Sequence, residues 1–171
     1  MAEPHLFIIF GGTGDLARRK LLPSMYRIMV DAGIERNSVV LGLASSPVGD
    51  EAYRKFARES LIGAGFEDAG AWCDDRVHFH QIERGEPTLN QLAARVEAIE
   101  SEHELPGNRI FYLALPPAAF PPVISSISSA GLNSGPGWTR LVIEKPFGRD
   151  LQSARDLNDL VHDHFDETQV Y

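Results

Sequence analysis

Positions 10–20 read FGGTGDLARRK, with the apolar run HLFIIF (5–10) leading into them and a helical pattern directly after. Three glycines in four positions, Gly11, Gly12 and Gly14, are entropically costly to order, so the chain needs a backbone path there that side chains would obstruct. The short continuous apolar run ahead is of the kind expected in a strand buried on both faces. From Asp15 to about Asp31, the residues Leu16, Leu22, Met25, Tyr26 and Met29 follow helical spacing, broken only by Pro23, and Gly33 stands where a C-cap belongs. Strand, glycine turn and helix in that order open a βαβ unit.

The remainder repeats the alternation. SVVLGLA (38–44) predicts a second strand, Glu51 to about Leu61 a helix, RVHFHQI (76–82) a third strand and Leu89 to about Ile99 a helix. NRIFYLALPP (108–117) is the most apolar strand, stopped by paired prolines; a helix over 119–130 and the strand TRLVIEKPFG (139–148) follow. Strands alternating with helices imply parallel pairing, hence an α/β, doubly wound, mostly parallel Rossmann-type sheet with helices on both faces. HLFIIF is expected at its centre and FYLAL next to it in the second half. The 171 residues, 43% apolar and 23% charged, suit one domain over 1–171. A net charge of -8 argues against nucleic acid as the main partner, although backbone donors still capture an anionic ligand locally. The single cysteine, Cys73, forms no internal disulfide and fits a reducing cytosol. No stretch is long and apolar enough for a bilayer, and the first residues lack a basic signal-peptide region, so a cytoplasmic protein without membrane contact is expected.

Gly12-x-Gly14-x-x-Ala17 fits the dinucleotide fingerprint, with alanine in the last place. The glycines let the backbone approach a pyrophosphate, and the helix N-terminus offers unpaired N–H groups and the positive end of its dipole. No Gly-Lys-Ser/Thr closes the motif, so it is not a P-loop. After the second strand stand Ser45, Ser46 and Pro47, neither acidic as for NAD nor basic as for NADP, so this position leaves the choice open. Glu144-Lys145-Pro146-Phe147-Gly148 ends the last strand. An ammonium there stands at the rim of a nucleotide cleft, able to bind an anionic substrate or polarise a hydroxyl under oxidation. By itself Lys145 reads equally as a solvated lysine or as half of an ion pair with Glu144.

GGTGDLARRKLLP, NRIFYLALPP and TRLVIEKPFGRDL together resemble the N-terminal coenzyme domain of the glucose-6-phosphate dehydrogenase family, over essentially the whole chain. The family's Gly-Ala-Ser-Gly-Asp-Leu-Ala loop falls on Gly11–Ala17, with Gly12-Thr13 in place of Ala-Ser. The resemblance implies oxidation of glucose 6-phosphate with hydride transfer to NADP, NAD being possible, in an enzyme that is oligomeric when complete. It implies that Gly11, Gly12, Thr13, Gly14, Asp15, Leu16, Ala17 and Arg18 cradle the pyrophosphate, and that Ser45 stands where arginine usually meets the 2′-phosphate, a place Arg18 or Arg54 would then have to fill. It also implies that Phe120 lies beside the coenzyme, that Lys145 is catalytic between nicotinamide and substrate, that Pro146 positions the nicotinamide, and that Lys20 faces the substrate. FDETQVY (165–171) resembles the strand leading into the family's catalytic-histidine segment, so the substrate domain is expected beyond this span and the isolated chain is expected to be inactive.

Among the six histidines, His78 and His80 share a strand face but have no evident further ligand, and no metal site is expected. His162 and His164 fall near a helix end and suit a solvated face; Trp72 and Trp138 suit packing. Short-chain dehydrogenases are excluded because no Tyr-x-x-x-Lys occurs at Tyr26, Tyr53 or Tyr112. A glucose-fructose-type sugar oxidoreductase, which shares Glu-Lys-Pro, and a non-catalytic nucleotide- or partner-binding module are the alternatives.

Overall fold

Five parallel strands form one sheet in the order β3-β2-β1-β4-β5 in the computed structural model, which describes residues 3–83 and 89–171. They are β1 (Leu6–Phe10), β2 (Val39–Ala44), β3 (Val77–Gln81), β4 (Arg109–Leu113) and β5 (Thr139–Ile143). The central strand is the one expected, HLFIIF, and FYLAL lies beside it, with Ile8 opposite both Leu41 and Phe111.

Among the described residues, six α-helices cover the two faces: α1 (Leu22–Ala32), α2 (Asp50–Gly63), α3 (Gly70–Arg76), α4 (Asn90–Glu102), α5 (Phe120–Ser129) and α6 (Leu151–His164). Leu6, Ile8 and Phe10 of β1, with Leu41, Leu43, Phe111 and Leu113, pack under α4, α5 and α6. Ile9, Val40, Val77 and Phe79 pack on the other face under α1, α2 and α3. A strand buried on both sides has no polar alternation to show, which is why β1 reads as a continuous apolar run. Each such fully buried side chain contributes about 1.5–3 kcal/mol.

Three local features depart from the sequence pattern. The first helix is not uniform: a π-helical segment, Ala17–Leu21, precedes α1, and the Leu22 amide donates to the Ala17 carbonyl five residues back. The next such donor would be Pro23, which has no N–H. The carbonyl this leaves, that of Arg18, accepts instead from the Ser60 hydroxyl of α2. Gly33 caps α1 as expected, in the left-handed region with its amide on Met29 and Val30. Second, α3 has no counterpart in the sequence reading, because its seven residues are too few for periodicity to register. Third, FDETQVY holds a 3-10 turn (Glu167–Gln169) at its centre, and Val170 and Tyr171 pair with β5, through Leu141 and Ile143.

On the α4 face, β3 places His78, 2% exposed, with its Nε2 2.9 Å from that of His103. Burial lowers the His78 pKa to about 4, and the nearby Arg95 guanidinium adds to the effect. A histidine held neutral in the fold binds its proton only after unfolding. Its contribution is therefore intact above the ordinary histidine value near 6.5 and is lost as the pH falls toward about 4, amounting to about 3 kcal/mol across that window. Urea unfolding at pH 7 and pH 4.5 should show this loss, and His78→Phe should reduce the slope. An equal slope in both proteins would contradict it.

Candidate functional site

The turn from β1 into the first helix is held by contacts that exclude side chains. Gly11 has φ +86°, and a Cβ on it would fall 2.3 Å from the Ala114 carbonyl oxygen at the end of β4. A Cβ on Gly12 would fall 2.8 Å from the Gly42 Cα on β2. The amides of Gly11 and Gly12 both donate to the Leu43 carbonyl at 2.9 Å, and Gly14 closes the turn onto the Gly11 carbonyl at 2.9 Å. Ala17 is buried, where the motif requires a small residue between helix and sheet. Among the described residues, the amides of Thr13, Asp15 and Leu16 have no carbonyl acceptor. They are free donors at a helix start, where a bound anion is stabilised.

Strand order reverses between β1 and β4, the position at which open α/β sheets bind ligands beyond their carboxyl ends. A cleft of about 320 Å³ lies there. Of the expected residues it is lined by Gly11, Thr13, Gly14 and Ser45, joined by Ser46, Glu83, Ala114 and Val123 among others. Glu83 was not expected, and its carboxylate is the one charged side chain among the described lining residues. Arg18 and Arg54, weighed for a 2′-phosphate, are outside that lining. Arg18 is paired with Glu59 at 3.6 Å, and Arg54 donates to the Val77 carbonyl at 2.9 Å. Phe120 is 1% exposed and packs in the core, while its neighbours Ala119 and Val123 face the cleft.

Lys145 stands two residues past the carboxyl end of β5, exposed, with no ion pair among the described residues. Glu144 is engaged elsewhere, accepting from the Tyr112 hydroxyl. At the far end of this loop Gly148 has φ +87°, and a Cβ there would fall 2.6 Å from the Ala154 nitrogen. Asp150 then caps α6 by accepting from the Ser153 amide at 2.8 Å. The Lys145–Pro146 segment is thus a short loop anchored on both sides. Lys20 lies exposed on the π-helical segment.

Glu102 and His103 lie beside His78, with one ligand atom from each of the three within 4.8 Å of the others. Sequence spacing does not reveal this set, because α4 brings in His103 from 25 residues away. A metal-bound imidazole keeps a proton on its other nitrogen and needs an acceptor for it. Here Arg76 faces His103 Nδ1 at 3.0 Å and Arg95 faces His78 Nδ1 at 3.4 Å, both of them donors. The cluster suits a histidine–histidine hydrogen bond, the two Nε2 atoms lying 2.9 Å apart. A larger polar hollow of about 630 Å³, lined by Thr139, Arg140, His162 and Gln169 among others, sits where β5 begins, the wrong end of the sheet for a coenzyme. Trp72 and Trp138 serve packing and anchoring, their indole N–H groups donating to the Glu35 carbonyl and to Glu3.

A family model described as glucose-6-phosphate dehydrogenase, NAD binding domain, matches residues 8–171. Glucose-6-phosphate 1-dehydrogenase of Bacillus subtilis (strain 168) is 35% identical over 170 residues, covering 97% of this chain and 34% of that protein. The enzyme of the same name from Leuconostoc mesenteroides is 32% identical over 170 residues, covering 97% of the chain and 35% of its own length. A solved glucose-6-phosphate dehydrogenase in complex with its substrate glucose-6-phosphate superposes with a TM-score of 0.84 at 29% identity, covering 100% of this chain and 37% of that one. Glucose-6-phosphate 1-dehydrogenase from Mycobacterium avium gives 0.75 at 30% identity, with 98% and 35% covered. The chain spans about a third of the length of the curated relatives it matches.

The close approach of Gly11 to β4 generates a direct expectation. Gly11→Ala combines an unfavourable positive φ with a collision against backbone, and should destabilise the chain by at least about 2 kcal/mol in a urea melt. Gly63→Ala, at a position with open space around it, should be neutral or stabilising. Equal melts for the two variants would contradict the placement of the turn.

Proposed function

The chain belongs to the glucose-6-phosphate dehydrogenase family through its NAD-binding domain, and on that premise we propose that it forms the coenzyme-binding part of an enzyme oxidising glucose 6-phosphate. The observation that carries the reading is the row of unengaged amides on the glycine loop, Thr13, Asp15 and Leu16, opening at the point where strand order reverses. In this reading Gly11 through Arg18 hold the coenzyme pyrophosphate, and Ser45 meets the adenosine ribose. Phe120 supports the cleft wall from within the core. Pro146 sets the nicotinamide position and Lys20 faces the substrate side.

When bound, the nicotinamide supplies the hydride acceptor. The protein's own task is to hold the sugar hydroxyl in line with it and to stabilise the negative charge on that oxygen as its proton passes to a base, which the resemblance places outside this span, with hydride then leaving the carbon to give the carbonyl. Lys145 is the group proposed for the second role. Its loop is anchored by Tyr112–Glu144 on one side and the α6 cap on the other, so its ammonium needs little reorganisation. The activity, the sugar phosphate, an oligomeric assembly and a cytoplasmic location are proposed for the whole protein, as carried by relatives named glucose-6-phosphate 1-dehydrogenase, one of them a cytoplasmic form.

For the 2′ position the described cleft offers the Ser45 and Ser46 side chains and the Glu83 carboxylate, without an arginine. Hydroxyls serve a 2′-hydroxyl or a 2′-phosphate, whereas a carboxylate repels the phosphate. We therefore propose that the protein accepts NADP, the coenzyme suggested by resemblance, and NAD as well. Calorimetric titration should give dissociation constants within about tenfold of each other. Binding of neither by the folded chain would overturn the coenzyme reading, and NADP binding a hundredfold tighter would overturn dual use. In the complete enzyme, Lys145→Ala should lower kcat by about a hundredfold or more with little change in melting temperature. Near-normal turnover with an early melt would make the lysine structural.

A further inference from the structure

Tyr53 on α2 has no part in the site described so far. Its side chain is 0% exposed, and its hydroxyl donates to the Gly12 carbonyl at 3.1 Å across 41 residues of chain. The ring lies against β2 at Gly42, where a Cβ would fall 2.1 Å from the ring's Cζ and 2.3 Å from its hydroxyl. Phe56 stacks on the same ring at 5.6 Å and 17°, and Phe79 packs at 5.4 Å and 46°. The hydroxyl is thus caged, and burial pushes the phenol far above its ordinary pKa, so it remains a donor.

The Gly12 carbonyl shares a peptide plane with the Thr13 amide, and in a trans peptide the two point in opposite directions. Holding the carbonyl inward on Tyr53 turns the Thr13 N–H outward. Thr13 lines the cleft, and its amide has no acceptor among the described residues.

We infer that Tyr53 is a positioning residue for the anion cradle: its buried hydroxyl fixes the Gly12–Thr13 peptide so that the Thr13 N–H faces the coenzyme pyrophosphate before any ligand arrives. Gly42 is part of the same device, because any side chain there would displace the ring. The inference rests on the coenzyme reading of the glycine loop. Without the hydroxyl, ordering that peptide is deferred to the binding step and subtracts from affinity.

The test uses Tyr53→Phe, which keeps the ring and removes one buried hydrogen bond, with NAD, NADP and 2′-AMP as ligands; 2′-AMP carries adenosine without a pyrophosphate. Both dinucleotides should bind about fivefold more weakly to the variant, and 2′-AMP should bind unchanged. Phe79→Leu loosens the same aromatic cage while retaining the hydroxyl, and should leave dinucleotide affinity within about twofold of the original. Equal weakening of 2′-AMP and dinucleotides in Tyr53→Phe, or an equal loss of dinucleotide affinity in Phe79→Leu, would show that the residue merely supports the fold. Unchanged dinucleotide binding by Tyr53→Phe would overturn this inference alone. No dinucleotide binding by the unmodified chain would overturn the coenzyme reading beneath it.

Discussion

The first βα turn passes between β2 and β4 at distances that admit no side chain, and much of the structure is arranged to keep it there. Gly11 lies against the Ala114 carbonyl, Gly12 lies against Gly42, and the Leu43 carbonyl receives both of their amides. These contacts come from two strands, β2 and β4, on either side of β1, so they exist only once the parallel sheet has assembled in its β2-β1-β4 order. The two cores, α1–α3 on one face and α4–α6 on the other, supply the burial that holds that order. What emerges at the carboxyl edge is a loop whose carbonyls turn inward and whose next amides remain available. Such a loop can attract an anion through its backbone geometry, whatever the net charge of the chain. This reconciles a chain of charge -8 with a phosphate-bearing ligand.

The same edge carries the second element of the proposed site on a different principle. Lys145 is presented by a side chain, so its loop is fixed by specific tethers: Tyr112 on Glu144, close packing at Gly148 and the Asp150 cap. In the proposed reading, backbone groups hold the anion and a lysine on an anchored loop meets the reacting oxygen.

Much of this is legible along the chain, because it depends on local pattern. Continuous apolar runs mark the doubly buried strands, the fingerprint marks the turn, and Gly33 marks the end of α1. What sequence does not reveal is pairing at a distance. Arg109, a charged residue opening the most apolar strand, makes sense only beside Glu100, which it meets twice at 2.7 and 2.8 Å with both side chains largely buried. His78 needs His103, and the Arg18 carbonyl needs Ser60 because Pro23 lacks an N–H. Tyr53 looks like any apolar position of an amphipathic helix, and nothing near it in sequence points to Gly12. The resemblance placed Phe120 next to the coenzyme, whereas the fold turns its ring into the core and gives the cleft Ala119 and Val123.

Assignment of the anion site to the loop's own amides is tested most directly by following the backbone amide resonances of the ¹⁵N-labelled chain during titration with NADP. If those amides hold the pyrophosphate, the largest shifts fall on Gly11 through Arg18, with smaller ones at Ser45 and at Ala114 and Leu115 across the cleft. Shifts confined to 133–140 and 162–169, around the polar hollow at the start of β5, with the glycine loop unmoved, would contradict it.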